Sequence, residues 1–246
     1  MNPIDTSFDF NTDAHGGDPD SKSPTLKRYH TLLWSKELPN GDNFNLQADI
    51  KGAYLQFKSA AYEVSLSSDN IAHSYRDVKR MRQIIEKVSV DDVTSFWRLN
   101  CTIGGFIIFP AKKVDGNMTI NQMRGVSPQI ADRFDLTLEC IRRFYEGGSS
   151  PLEETINRYE EFFKLFRSFK GYVDFFLLND LVNAQYQKIH FFTEIDDSFH
   201  SSAFPGSVEE YLKYREKCMD FIARRNTRIA DWTTAQRGGS KWVQLF

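Results

Sequence analysis

The stretch Thr102-Ile-Gly-Gly-Phe-Ile-Ile-Phe-Pro110, followed by Met118-Thr-Ile-Asn-Gln-Met-Arg-Gly125, decides how this chain is read. Apolar residues on both faces predict a buried strand over 96–110, near the middle of a sheet, ending at Pro110 before an Asp115-Gly116 turn. Residues 118–125 read as a polar turn. Ser127-Pro128 then starts a helix that opens with Asp132, Arg133 and Asp135 and turns Ile130, Phe134, Leu138, Ile141 and Tyr145 inward. Side chains able to bind an anion, Asn121 and Arg124, thus stand close to others able to move a proton.

Working outward, strand signals dominate the N-terminal side. Leu38-Pro-Asn-Gly41 is a turn, and 44–50 and 53–66 carry alternating apolar residues that suit a small antiparallel sheet. Before them, Ser23-Pro24 caps a helix with Leu26, Tyr29, Leu32 and Leu33 on its inner face. Tyr75, Val78, Met81, Ile84, Ile85 and Val88 recur at helical spacing. Beyond residue 127 the pattern is helical, with starts expected at Ser150-Pro151 and Ser207 and capping boxes completed by Glu153 and Glu210. Strands first and helices later predict an α+β fold, a small mostly antiparallel sheet in the N-terminal half packed against a helical C-terminal half. We divide the chain into an arm at 1–22, one α+β domain at 23–230 and a tail at 231–246.

Composition narrows the function classes. With 41% hydrophobic residues, 21 Phe and 10 Tyr against 26% charged residues, the chain can bury a large aromatic core without staples. Cys101, Cys140 and Cys218 are dispersed among apolar neighbours, as reduced thiols in a cytoplasmic setting would be. No window reaches the roughly 18 to 20 apolar residues of a membrane span, and the first residues are acidic where a signal peptide is basic. A net charge of −2 argues against a broad nucleic-acid surface. No phosphate loop, CxxC pair, GxSxG elbow or paired-histidine metal site occurs, so no metal is expected and the residues name no cofactor.

Two clusters remain as candidate chemistry. Arg28-Tyr29-His30 with Trp34-Ser35-Lys36 sets a proton-transfer group, His30, among cations and an aromatic platform. Asn121, Arg124 and Arg133 offer anion contacts beside Asp135, with internal salt bridges to Asp132 or Asp135 as the bland alternative. Asp174 and Asp180, in apolar surroundings, require cations, for which Arg124 and Arg133 are the candidates. Asp91-Asp92 and Asp196-Asp197 read as solvated turns. Arg215, Lys217, Arg224, Arg225 and Arg228, followed by Trp232, Gly239, Lys241 and Trp242, read as a solvated basic helix face and a tail, with strand binding to nucleic acid as the alternative.

Thr119-Ile-Asn121, Arg124-Gly125, Asp132-Arg-Phe-Asp-Leu-Thr-Leu-Glu-Cys-Ile-Arg-Arg143 and Gly171-Tyr-Val-Asp-Phe-Phe-Leu-Leu178, taken with the 28–36 segment, resemble an uncharacterised family of bacterial proteins. The resemblance covers most of the chain and implies an intracellular bacterial or phage-related setting without implying a reaction. Two functions follow as expectations. One is a binding or regulatory module in stress or phage defence, its helical half facing a protein partner. The other is an enzyme on a nucleotide or nucleic acid, with Arg124 and Arg133 on phosphate and His30 or Asp135 moving protons, which requires the two clusters to meet in one pocket.

Overall fold

The computed structural model describes residues 4–194 and 199–238. Four strands, β1 (Leu46–Ala48), β2 (Leu55–Lys58), β3 (Glu63–Asn70) and β4 (Phe106–Pro110), form one antiparallel sheet in that order. Around it run α1 (Pro19–Lys22), α2 (Pro24–Trp34), α3 (Arg82–Ile85), α4 (Val90–Asn100), α5 (Ile120–Val126), α6 (Phe134–Glu146), α7 (Glu153–Asn157), α8 (Glu160–Lys164), α9 (Phe169–Phe175) and α10 (Val208–Gly238). The fold is α+β, as the order of patterns predicts.

β4 corrects the reading of the deciding stretch. Residues 96–100 belong to α4, whose N-cap Ser89 accepts from the Asp92 backbone N–H, and the strand begins only at Phe106. It lies at the edge of the sheet, yet all five of its residues are buried. A buried edge must have its carbonyls capped. Arg225 of α10 does this, donating from Nη1 to the carbonyls of Gly104 and Phe106 at 3.0 and 2.7 Å. Gly104 permits the approach, because a Cβ there would stand 2.6 Å from the Ile222 carbonyl. The glycine pair marks close backbone contact: the same construction at Gly105 would meet the Asn100 carbonyl at 2.1 Å.

β3 has a second open edge. β2 ends opposite Leu66, so Ser67–Asn70 pair only with β4. α5 covers the gap: Asn121 Nδ2 donates to Ser68 O at 3.3 Å, and Arg124 Nη2 to Asn70 O at 2.9 Å. Residues 120–126 are therefore a helix and not a turn, opened by a capping box between the N-cap Thr119 and Gln122.

Other starts shift as well. Ser23 caps α2 as expected. After Ser127-Pro128 no helix forms. Ala131 and Asp132 take left-handed backbone angles, and α6 starts at Phe134 with Arg133 at the N-cap. Residues 151–152 form a turn before α7, whose N-cap is Leu152, so no capping box forms at Ser150. Between residues 75 and 88 only the 3-10 turn Lys79–Met81 and the short α3 form, and Tyr75 has positive φ. Ser207 does accept from the Glu210 N–H, while the Glu210 carboxylate reaches back to Gly206 N.

The core joins the sheet to the helical half through aromatic side chains. Phe44 meets Phe57 and Phe166, and Phe166 and Trp34 both meet Phe176, with ring centroids 4.4 to 6.4 Å apart. Phe10 of the N-terminal arm is buried against Tyr29 and Phe106. Each such ring contributes about 1.5–3 kcal/mol when fully buried. Cys101, Cys140 and Cys218 are all buried and free.

Candidate functional site

Five of the seven candidate residues converge on the interior. His30, Arg124, Arg133 and Asp135 are 0% exposed, and Asn121 is half-buried over β3. The 28–36 and 121–124 groups do meet, through the Ser67–Asn70 edge of β3: His30 Nε2 lies 3.0 Å from Ser68 Oγ, and Asn121 Nδ2 donates to Ser67 Oγ at 3.1 Å. The meeting is a hydrogen-bonded interior.

The chemistry of that interior follows from its donors. Trp34 Nε1 donates to His30 Nδ1 at 3.0 Å, so the neutral imidazole carries its proton on Nε2 and gives it to Ser68 Oγ. His30 therefore cannot take a proton from Ser68, and burial with the nearby Arg225 charge lowers its pKa to about 3. Both facts weigh against the proton-transfer role expected of it. The Ser68 hydroxyl in turn faces the Asp20 carboxyl group, whose buried Oδ1 has no hydrogen-bond partner. Burial first, then the Asp69 and Asp18 charges, push the Asp20 pKa well above the usual carboxylate range. Burial also raises the Asp69 pKa, to about 7, against the pull of Arg124 Nη1 and Asn70 N, donors that Asp20 lacks.

The two candidate arginines have their donors engaged by the protein. Arg124 gives Nε to Thr137 Oγ1 and its remaining groups to Asp69, Asn70 O and Asp132, with Asp132 Oδ1 at 3.5 Å. Arg133 gives Nε and Nη2 to the two Asp135 oxygens at 3.1 and 2.5 Å, and Nη1 to Thr193 Oγ1 and Ala203 O. Asp135 Oδ2 also accepts from Phe192 N at 2.8 Å. This ion pair clasps the chain on either side of residues 195–198 onto α6, with Asp135 fully buried. Asp174 and Asp180 find other partners than the two arginines expected for them: Asp174 pairs with Lys170, and Asp180 with Arg228 in a bidentate bond at 2.9 Å.

Lys36 differs from all of these. It lines a cleft of about 820 Å³ whose walls include Ser35, Asn43, Lys170, Asp174, Phe175 and Trp232. Its Nζ donates to the Phe175 carbonyl at 2.5 Å and lies 4.6 to 5.1 Å from the ring centroids of Trp34, Phe175 and Trp232. Gly171 shapes this wall, since a Cβ there would meet the Phe166 carbonyl and crowd Pro39. Burial and the Arg225 charge lower the Lys36 pKa to about 7, against an opposing pull from Asp174. Arg28 stands apart, exposed, with its guanidinium over the Tyr29 ring at 4.9 Å.

Sequence reasoning placed Arg225 on a solvated helix face, and the structure corrects this. Tyr211, Tyr214, Cys218, Ile222, Arg225, Ile229 and Thr233 form the buried stripe of α10, so the 3.6-residue period itself carries the signal. Arg215 and Arg224 pair with Asp92 and Asp220. Trp232 is half-buried on the cleft wall. Asp196-Asp197 and the 239–246 part of the tail, with Gly239, Lys241 and Trp242, lie outside the described residues, while 231–238 continue α10.

Among the described residues no group of three or more His, Cys, Asp or Glu side chains is arranged to hold a metal ion, and no helix is long and apolar enough to cross a membrane. The chain belongs to a family of unknown function (DUF6994), whose profile matches residues 4–229. That span includes Lys36, Asp174, Phe175 and Arg225 and ends before Trp232. No curated protein and no solved structure matches the chain.

Proposed function

We propose that this member of a family of unknown function is a binding module that holds a small molecule in the cleft at Lys36. The observation that carries the reading is that Lys36, unlike Arg124 and Arg133, lines a cleft and has no carboxylate partner among the described residues. A half-buried amine surrounded by aromatic rings, with polar groups at the rim, has the makeup of a pocket that orients a ligand. The enzyme alternative loses its support because Arg124 and Arg133 have their donors engaged by protein acceptors, and His30 and Asp135 are fixed in structural bonds. Strand binding by α10 loses support too, since Arg215, Arg224 and Arg228 face acidic partners and Arg225 is buried.

A cytoplasmic, bacterial setting and a part in stress or phage defence belong to the same proposal; the three buried free thiols support a reducing compartment. The test is a thermal-shift screen of the full chain and of Lys36→Met against small molecules of mixed charge. A ligand at a hundredfold excess over its Kd stabilises the folded state by about 2.7 kcal/mol, and the shift should vanish in the variant. Shifts of equal size in both proteins would move binding away from this cleft.

A further inference from the structure

The buried cations of this protein are compensated unevenly. Arg124 faces Asp69 and Asp132, and Arg133 faces Asp135. Arg225 meets only the carbonyls of Gly104, Phe106 and Phe176, and its buried Nε has no partner. Its guanidinium lies 5.8 Å from the centroid of the Trp34 ring, which is 5.1 Å from Lys36 Nζ. Two cations therefore share one indole, with no carboxylate in ion-pair range of either among the described residues. Asp174 comes nearest to supplying one, but its oxygens are occupied by Lys170, Asn179 and the Tyr186 hydroxyl.

Sequestering positive charge without a counter-ion is costly, and Lys36 lines an open cleft from which one could approach. We infer that the cleft binds the acid group of a small anionic molecule, carboxylate or phosphate, which pairs with Lys36 while Trp232 and Phe175 flank the body of the ligand. This inference rests on the cleft being the binding site proposed above.

A consequence separates this anion from an ordinary ligand. In the free protein the Lys36 amine titrates near 7, held down by burial and by Arg225. The titratable and charged groups around it are His30 on α2, Glu37 beside it, Lys170 and Asp174 on α9, and Arg225 on α10. An anion favours the ammonium form, so binding above pH 7 takes up a proton. Affinity is then flat well below pH 7 and falls about tenfold per pH unit above it.

Isothermal titration of the full chain with benzoate, phenyl phosphate and benzamide tests this, run at pH 6 to 9 in buffers of different ionisation heat. Benzoate serves for the pH profile because it does not titrate in that range. Either acid should bind at least tenfold more tightly than benzamide, with close to one proton taken up at pH 8, and which acid is preferred identifies the group. Lys36→Met should lose the acid at least tenfold. Lys36→Arg should keep binding and lose both proton uptake and pH dependence, because a guanidinium stays charged. Equal affinity for acid and amide, abolished in Lys36→Met, would keep the cleft and overturn the anion. Acid binding without proton uptake, or an unchanged pH profile in Lys36→Arg, would also overturn it. Absence of binding by all three probes at millimolar concentration would remove both readings.

Discussion

Arg133 and Arg225 are both fully buried, and they are accommodated in opposite ways. Arg133 lies against a carboxylate that is buried with it and that also accepts a backbone N–H from Phe192. Arg225 lies against carbonyl oxygens alone, and burial pulls its pKa down to about 9, leaving it charged at neutral pH. His30 shows a third solution, remaining neutral with both ring nitrogens hydrogen-bonded. The first arrangement closes a local charge balance. The second leaves a positive potential close to Lys36 and the cleft, which is why the functional reading follows the uncompensated cation.

The sharpest way to break the comparison is Asp135→Ala, which leaves Arg133 buried and unpaired and should cost about 3–5 kcal/mol in urea unfolding at pH 7. Arg225→Met should cost less, about 1–3 kcal/mol, because neutral acceptors lose their donor while a buried charge also disappears. It should also raise the Lys36 pKa, moving the midpoint of the Lys36-dependent pH profile upward. A larger loss for Arg225→Met than for Asp135→Ala would mean that the carbonyl cap, and not the ion pair, dominates.

His30 supplies the next effect. Its folded pKa lies below that of the unfolded chain, so its contribution is fully present above about 6.5 and is lost as pH falls toward 3, amounting to about 2 kcal/mol between pH 7 and pH 5. The stability gap between the protein and His30→Gln should narrow by that amount on acidification. A gap independent of pH would show that the imidazole is not held neutral.

Asp20 gives an effect of the opposite sign. Its folded pKa is raised, so its contribution is present below about 4 and is lost as pH rises. Asp20→Asn, which imitates the protonated acid, should leave stability near pH 4 almost unchanged and gain progressively at higher pH. A loss at pH 8 would place the charged form of Asp20 in the native state.

Much of the fold was legible, and the reasons for the misses are physical. Period-two alternation fixed the antiparallel sheet, and Ser23-Pro24 fixed α2, because both signals are local. Residues 96–110 misled because Phe96, Trp97 and Leu99 are apolar for helix packing, while the chain needs Gly104 and Gly105 to turn beneath α10 before the strand starts. The capping box at Thr119 and Gln122 is a local helix signal, and it prevails over the polar, turn-like composition of 118–125. At the site, Lys36 could be chosen from its neighbours Trp34 and Ser35. Its partners could not, since Phe175 is 139 residues away in sequence and only the folded chain brings it near.

The 31-residue α10 has a consequence for the order in which the molecule is assembled. At about 1.5 Å per residue it is a rod of roughly 46 Å. From this rod Tyr214 bonds to the carbonyl of His73, Asn226 accepts from Gly104 N, and Arg225 closes the edge of β4. These bonds span 119 to 141 residues of sequence. During synthesis β4 thus emerges long before the helix that covers it, and until residues 208–238 arrive its Phe-Ile-Ile-Phe edge is a bare, apolar template for pairing with other strands. The slow step of folding should be the docking of this last helix, and the interval before it is when the chain is most exposed to aggregation.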